Sequence, residues 1–433
     1  MDTRSLLQSI LDHIEDNLCS ELSVSDLAAR AGFSPYHFHR IFRRTVGYPV
    51  AQYIRRRRLL HAVYAMRCGL TGIQAALQYG FSTYSGFYRA FTREFSCTPA
   101  AYLRAGHATR PHRPNLLKEA HIPMTHDLAV NILEHWHLAH LPLTDVFYES
   151  TGERNEHAVY VGTDYVLKFS ADKAKLLTHM QLSAALATEG LLSAVPIPTS
   201  DGKTLVRHDY GWFFLSRRLP GVPLRAAELL TETGLPLAYP FGAAIGKLHQ
   251  ALSRLDLPVP DAEPPTATLS WALPRVRDHL PLPADLTRHL SAVLADLTPH
   301  LPRQIIHRDP NPSNLLVSDE GWSFIDFDLS QRSLRLFDPC YAATAVLSET
   351  IRTADAAKLT AWLAFYHDLL RGYDSIVHLT AEEKTALPCL LLADQLRCTA
   401  WFADQPQYKE IFSANRRMTA WLIEHFDDLH FLQ

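Results

Sequence analysis

Apolar positions recur at helical spacing through most of the first hundred residues. The segment SLLQSILDHIEDNL, residues 5–18, places them every three to four positions, which predicts an amphipathic helix. Ser23 or Ser25, with Asp26 nearby, supplies an N-cap for a second helix through DLAARAG, and Gly32 ends it. Ser34 and Pro35 start a third, YHFHRIFRRTVG, and Pro49 opens a long fourth, VAQYIRRRRLLHAVYAMR. Residues 107–126 hold three prolines and little periodicity, so they are expected to form a linker. From about residue 127 the pattern turns to mixed strands and helices. YVLKF and WFFLSRRL read as strands, and FGAAIGKLHQAL reads as a helix. Beyond residue 340 the chain reads as helical, with LTAWLAFYHDLLRGY and TAWLIEHF the clearest amphipathic runs.

Within the first quarter the pattern occurs twice. Gly32-Phe33 aligns with Gly80-Phe81, the pair Phe38 and Phe42 with Phe87 and Phe91, and Tyr53 with Tyr102. Each copy reads as a short helix, a glycine turn and a second helix, the pattern of a helix-turn-helix unit. The second helix, held by its Phe pair, presents a face rich in His, Tyr and Arg. Two units joined by one rigid helix could reach successive major grooves about 34 Å apart. An ordinary helical bundle with an Arg-rich solvated face would share the periodicity.

Charge favours the first reading. Residues 1–110 carry 14 Arg, no Lys and 7 acidic residues, a balance of +7, whereas the rest holds 28 basic against 38 acidic residues, or −10. A basic module joined to an acidic remainder suits double-stranded DNA as a partner of the first part. The composition of all 433 residues, 47% apolar and 20% charged, excludes a disordered or collagen-like chain. No run of 18 apolar residues occurs, so no membrane span is expected. Acidic residues interrupt the apolar pattern at the start, which does not suit a secretory signal. Cys19, Cys68, Cys97, Cys340, Cys389 and Cys398 lie far apart, which suits a reducing cytoplasm and neither a disulfide framework nor a zinc site.

The tandem repeat over about residues 5–106 resembles the DNA-binding domain of AraC/XylS-type transcription regulators, a bacterial family. That resemblance implies that Tyr36, His37, His39 and Arg40 face bases and that Arg43 and Arg44 face phosphates. In the second unit it implies the same for Tyr84, Ser85, Tyr88 and Arg89, on a helix that contains Gly86. The run Arg55–Arg58 lies on the connecting helix, where a structural and backbone-contact role is expected.

The stretch QIIHRDPNPSNLLVSDEGWSFIDFDLS carries the second chemistry. His307, Asp309, Asn311 and Asn314 fall in a turn after the apolar run 301–306, and Asp326 follows twelve residues after Asn314. Phosphoryl transfer from a nucleotide needs a carboxylate near the acceptor hydroxyl and oxygen ligands for Mg²⁺. Asp309 fits the first role, and Asn314 with Asp326 the second. Lys168 is a lone lysine on the apolar strand YVLKF, placed to meet phosphates of ATP or GTP. GERNEHAVYV supplies Gly152, Asn155 and Tyr160 as a hairpin over them.

In order, these elements resemble the protein-kinase-like fold of aminoglycoside phosphotransferases, choline kinases and homoserine-kinase-like enzymes, over about residues 130–420. H-R-D-x-x-x-x-N followed by I-D-F carries the resemblance. It implies Asp309 as catalytic base, Asn314 and Asp326 as Mg²⁺ ligands and Lys168 as a phosphate contact. It also implies Asp338 as a brace for the loop, residues 216–219 as the adenine hinge, and His249 as a core histidine. These kinases pair the strand lysine with a helical Glu; here His179 and Gln181 stand near that place, and Glu189 comes late.

The expected architecture is therefore multidomain: an all-α tandem helix-turn-helix domain (1–106), a linker (107–126), and a two-lobed α+β kinase-like domain (127–433). Its N-lobe would run over about 127–217 and its C-lobe over 218–433. The leading expectation is a cytoplasmic regulator whose kinase domain phosphorylates a hydroxyl-bearing metabolite or antibiotic and couples that substrate to transcription. A catalytically silent ligand sensor is the alternative, and a kinase whose helical arm binds protein rather than DNA is a third reading. Acceptor identity, operator, sign of regulation and oligomeric state are not legible in the sequence.

Overall fold

The computed structural model describes residues 3–46, 48–95, 97–104, 108, 111, 113–114, 116, 124–147, 154–208, 211–351, 355–403 and 409–431. The chain divides into two compact units: residues 1–173 with 196–218, and residues 174–195 with 219–433.

The first unit begins with seven helices among the described residues: α1 (Thr3–Asp16), α2 (Val24–Arg30), α3 (Pro35–Val46), α4 (Val50–Arg67), α5 (Gly72–Gln78), α6 (Tyr84–Phe95) and α7 (Pro99–Arg104). Ser23 is the N-cap of α2 and accepts the Asp26 N–H at 3.4 Å. Gly32 and Gly80 end α2 and α5 with φ of +68° and +78°, a conformation glycine adopts without penalty. Phe38 and Phe42 are buried in one core with α1, α2 and the start of α4; Phe87 and Phe91 are buried in a second with the end of α4. The repeat in the sequence is thus a repeat of cores, with α4 shared between them.

The arginine run on α4 divides by face. Successive helical residues point about 100° apart, so four consecutive arginines cannot all face solvent. Arg55 is exposed, whereas Arg56 and Arg57 are buried and paired with Glu94 at 2.7 Å and Glu15 at 2.6 Å. Arg58 donates to the carbonyls of Leu18 and Ser20. Burial alone would push the Glu15 carboxyl upward, but His61 and Arg57 beside it hold it at about 2, against an ordinary 4.5. A folded-state pKa below the unfolded value contributes stability above about pH 4.5 that is lost as pH falls toward 2. We therefore expect the helical domain to lose about 3 kcal/mol over that window, followed by far-UV circular dichroism in urea. Glu15→Gln removes this acid-dependent loss, because its side chain does not titrate.

Three described residues of the predicted linker are buried: Ala108 and Leu116 in the helical cores and Met124 in the core beneath the sheet. Prolines broke the periodicity there, but these three apolar residues still pack. Helix α8 (His126–Leu133) opens one residue inside the predicted linker, with Thr125 as its cap. It leads to β1 (Leu143–Phe147), β2 (Arg154–Val161) and β3 (Tyr165–Ser170), and the unit closes with β4 (Pro196–Ile197), β5 (Val206–His208) and β6 (Gly211–Arg217). The strands form one antiparallel sheet in the order β1-β2-β3-β6-β4, with β5 also on β6. Leu167 and Phe169 point into the core with Phe213 and Leu215, so alternation puts Lys168 on the opposite face of β3.

The second unit takes up α9 (Lys173–Thr188) and continues through β7 (Val222–Pro223), α10 (Ala226–Leu229), α11 (Ala238–Leu252), α12 (Pro265–Arg277) and α13 (Ala284–Leu297). Four short strands follow: β8 (Arg303–Ile306), β9 (Leu315–Ser318), β10 (Gly321–Phe324) and β11 (Gln331–Leu334). The remainder is α14 (Phe337–Thr350), α15 (Ala356–Val377), α16 (Ala381–Ala403) and α17 (Lys409–Glu424). Helices α11 and α15 approach closely: a Cβ on Gly242 would lie 1.8 Å from the Leu369 carbonyl oxygen, and one on Gly372 1.9 Å from that of Tyr239. Antiparallel pairing of β8 with β11 and of β9 with β10 sets the loop 307–314 beside the segment 325–330. Among the described residues no helix is long and apolar enough to cross a membrane.

Candidate functional site

The loop after β8 is held from below by one carboxylate. Asp338, in the first turn of α14, is fully buried and accepts the backbone N–H of His307 at 2.8 Å and of Arg308 at 2.9 Å. His249 Nε2 on α11 stands 2.9 Å from the same carboxylate, and its Nδ1 2.7 Å from the Tyr373 hydroxyl. Both residues are therefore supports for the loop rather than groups that could touch substrate. His307 is also internal. Its Nδ1 accepts the Asp309 N–H at 3.3 Å, which leaves the proton on Nε2 for the Ile325 carbonyl at 3.0 Å.

These supports present Asp309. Its Oδ1 accepts Asn311 Nδ2 at 2.8 Å and its Oδ2 accepts Asn314 Nδ2 at 3.1 Å, while the Tyr341 hydroxyl on α14 lowers the pKa of the same carboxylate. Burial pushes the Asp309 pKa above its ordinary value, against those hydrogen bonds and the nearby His307; the Asp326 charge adds to the rise. A carboxylate raised in this way is a stronger base. Asn311 caps the single turn 312–314, accepting the Asn314 N–H at 3.2 Å and the Ser313 hydroxyl at 2.6 Å.

Asn314 spends both amide hydrogens on Asp309, on Oδ2 and on the backbone oxygen at 3.0 Å. Its Oδ1 accepts nothing from the described residues and is left as a ligand oxygen. Its carbonyl accepts the Ile325 N–H at 3.0 Å, which ties it to the residue before Asp326. Asp326 has φ +69°, a left-handed conformation that costs a non-glycine residue about 1–3 kcal/mol. The ligand atoms of Asp326, Asp328 and His179 lie within 4.8 Å of one another. The two carboxylates of this cluster suit a hard divalent cation such as Mg²⁺. His179, on α9, is buried; its Nδ1 accepts the Phe327 N–H at 3.1 Å and stands 3.0 Å from Asp328 Oδ1. Glu189 pairs instead with Arg254, at 2.7 Å.

Two residues around this site escaped the sequence reading. Tyr341 lies one helical turn after Asp338, which is the only sequence signal for its place beside Asp309. Arg308 has φ +75°, and its guanidinium carbon stands 3.6 Å from the centre of the Phe337 ring.

The remaining predicted residues lie in the first unit. Lys168 is half-buried on β3 opposite Ala158 and Phe214. Asn155 accepts the His157 N–H at 2.8 Å, a bond that turns the start of β2. Gly152 lies outside the described residues. On α3, Tyr36 is 80% exposed, His39, Arg40 and Arg43 are exposed, and His37 is half-buried against Phe33; the Arg44 side chain lies outside the described residues. On α6, Ser85, Tyr88 and Arg89 are exposed, whereas Tyr84 is half-buried and packs on Phe87. A Cβ on Gly72 would meet the Tyr84 ring at 2.5 Å, so that ring fills space inside the domain. Thr83 Oγ1 accepts the Gly86 N–H at 3.0 Å, which puts this glycine in the capped first turn of α6 rather than its middle.

Comparison with known proteins finds two family matches. Residues 150–375 match the family described as phosphotransferase enzyme family, and residues 27–105 match a helix-turn-helix domain. The transcriptional regulator Rob of Salmonella typhimurium is 39% identical over 106 residues, 24% of this chain and 37% of that protein. This chain thus spans little more than a third of the length of that relative. Homoserine kinase of Granulibacter bethesdensis is 29% identical over 268 residues, 59% of this chain and 79% of that protein. Among solved structures, amicoumacin kinase hAmiN is 15% identical with a TM-score of 0.49, covering 70% of this chain and 92% of that one. The chain belongs to the phosphotransferase enzyme family and carries, ahead of its kinase-like domain, a helix-turn-helix domain of AraC type.

Proposed function

We propose that this protein is a sequence-specific, DNA-binding transcription regulator whose kinase domain moves the γ-phosphoryl group of ATP to the hydroxyl of a small metabolite or antibiotic. The observation that carries the reading is the Asp309 carboxylate, raised by burial and held by Asn311 and Asn314. Asp309 takes the proton of the acceptor hydroxyl as its oxygen bonds to the γ-phosphorus and the bond to the leaving nucleoside diphosphate breaks. Asn311 and Asn314 aim the carboxylate. Asn314 and Asp326, with Asp328 beside them, would hold Mg²⁺, which when bound neutralises phosphate charge. Lys168 is assigned to the nucleotide phosphates, and Gly152 and Asn155 to the hairpin over them.

In the helical domain, the exposed Tyr36, His39, Arg40 and Arg43 of α3, and Ser85, Tyr88 and Arg89 of α6, are assigned to the DNA. Coupling of acceptor to transcription draws support from packing inside the first unit. Tyr102 of α7 meets Phe147 of β1 edge to face at 5.8 Å, on the strand that comes shortly before Gly152 in the chain.

The test is Mg²⁺-dependent ADP formation by the full chain over a panel of hydroxylated acceptors, with duplex DNA affinity measured in parallel. Turnover with an acceptor that also shifts DNA affinity is the expected result. Nucleotide binding without turnover on any acceptor would replace the kinase by a ligand-sensing domain.

A further inference from the structure

The segment after β10 brings donor atoms of two kinds to one place. The ligand atoms of His179, Asp326 and Asp328 lie within 4.8 Å of one another. Two ligands of one ion, each about 2.0–2.2 Å from it, stand at most about 4.4 Å apart. Three donors this close need only slight movement to share an ion. Asp326 and Asp328 flank Phe327, so the chain itself keeps their carboxylates near each other. His179 comes instead from α9, 148 positions before Phe327, and is buried. Its Nδ1 accepts the Phe327 N–H at 3.1 Å, which fixes the tautomer: the proton is on Nε2, and the Nδ1 lone pair is directed at this segment. The same Nδ1 stands 3.0 Å from Asp328 Oδ1. In that tautomer neither atom brings a hydrogen to the other, and a nitrogen lone pair beside a carboxylate oxygen is how two ligands of one ion stand. Packing holds the arrangement as well, since the Phe327 ring meets the His179 ring at 6.0 Å and the His307 ring at 4.7 Å. Asp326 keeps its strained, left-handed φ of +69°, a conformation that persists where the surroundings over-determine it.

We propose that His179 is a metal ligand together with Asp326 and Asp328, and that this mixed nitrogen and oxygen site takes a first-row transition ion, Mn²⁺ or Co²⁺, in preference to Mg²⁺. The proposal deepens the metal assignment above and rests on the kinase reading for the use of an ion at this segment. Mg²⁺ takes oxygen ligands and gives up its waters reluctantly, so an imidazole adds little to its binding. Transition ions accept imidazole nitrogen, and their affinity for such a set rises from Mn²⁺ to Co²⁺. The ion takes the lone pair that now accepts the Phe327 N–H, so the two exchange at one nitrogen. Mg²⁺ in phosphoryl-transfer sites leans on substrate phosphates, whereas a site with three protein donors holds its ion without nucleotide.

The test is metal binding by the full chain without nucleotide or acceptor. Mn²⁺ is followed by electron paramagnetic resonance with Mg²⁺ as competitor, and Co²⁺ by its visible absorption, which reports a nitrogen ligand. His179→Asn is the informative variant: its amide oxygen stands where Nδ1 stood and can accept the Phe327 N–H, so the tie to α9 is kept while the nitrogen donor is lost. The preference for Mn²⁺ over Mg²⁺ is expected to fall roughly tenfold in His179→Asn, the lower end of what residues supporting a metal contribute. Mg²⁺ affinity should stay nearly unchanged, the Co²⁺ bands should shift, and Asp328→Asn should weaken all three ions. The same Mn²⁺ preference and the same Co²⁺ spectrum in wild type and His179→Asn overturn the proposal, as does a wild-type chain that binds neither Mn²⁺ nor Co²⁺. The kinase reading fails separately. Ion binding that depends on His179, in a chain that turns over no acceptor, keeps the site and removes the kinase; turnover with metal preference indifferent to His179→Asn keeps the kinase and removes the site.

Discussion

Asp309→Asn is expected to lower kcat by roughly a thousandfold, the scale of a positioned general base, while nucleotide affinity stays within about twofold, well under the tenfold that 1.4 kcal/mol represents. The amide has the size of the carboxylate, and Asn314 keeps its second anchor on the backbone oxygen of residue 309 at 3.0 Å. What changes is the second side-chain oxygen. One amide NH₂ must face either Asn311 Nδ2 or Asn314 Nδ2, both donors, so Asp309→Glu serves as the companion variant that keeps the base and moves it. The wild-type pH profile adds a second readout. The base works deprotonated, so activity is present above the Asp309 pKa and falls as pH drops through it. Burial places that limb above the ordinary value of an aspartate carboxyl. The Tyr341 hydroxyl lowers the Asp309 pKa, so Tyr341→Phe should move the limb to still higher pH. A rate unaffected by Asp309→Asn, measured as ADP release, would rule out Asp309 as the base.

The loop 307–314 was readable in the sequence because its contacts are local. Asp309, Asn311 and Asn314 lie within six positions, and a turn that short brings the side chains together whatever surrounds it. The tandem repeat was readable for the same reason: its Gly-Phe turn and Phe pairs act within one helix-turn-helix unit. Other features depend on partners far along the chain. Arg56 and Arg57 looked like part of a uniform basic run, and only Glu94 and Glu15, some forty residues away, show that they are internal. His179 stood out as the wrong residue for a helical glutamate. Its attachment to Phe327 and Asp328 spans about 150 positions and has no local signature. Arg308 lay in full view inside H-R-D, but its positive φ and its stacking on Phe337 did not. Neither is a property of residue type. Tyr84 shows the converse: the family resemblance gave it a place with the DNA-facing residues, whereas a glycine at position 72 opened the space that its ring fills.

Asp338→Ala should destabilise the second unit by about 3–5 kcal/mol, as expected when one partner of a buried charged network is deleted, and should remove activity as well. The wild-type carboxylate satisfies three buried donors or partners: the His307 and Arg308 N–H groups and His249 Nε2. Each orphaned donor costs about 1–3 kcal/mol, because no water replaces the lost acceptor in a closed core. Energy and function are linked here through geometry. The two backbone N–H groups belong to the residues immediately before Asp309, so the loop that loses its anchor is the one that aims the base. Asp338→Asn divides the effects: its carbonyl oxygen can keep part of the set, while its NH₂ must face a donor. It should therefore fall between wild type and Asp338→Ala in both stability and rate. Tryptophan fluorescence in urea reads the stability, since Trp271, Trp322, Trp362, Trp401 and Trp421 lie in the second unit and residues 1–106 hold no tryptophan. DNA affinity of the same variants should stay at the wild-type level, because the helical domain has its own cores. A stability change below about 1 kcal/mol in Asp338→Ala, the scale of one ordinary hydrogen bond, would mean that the loop holds its shape without this carboxylate.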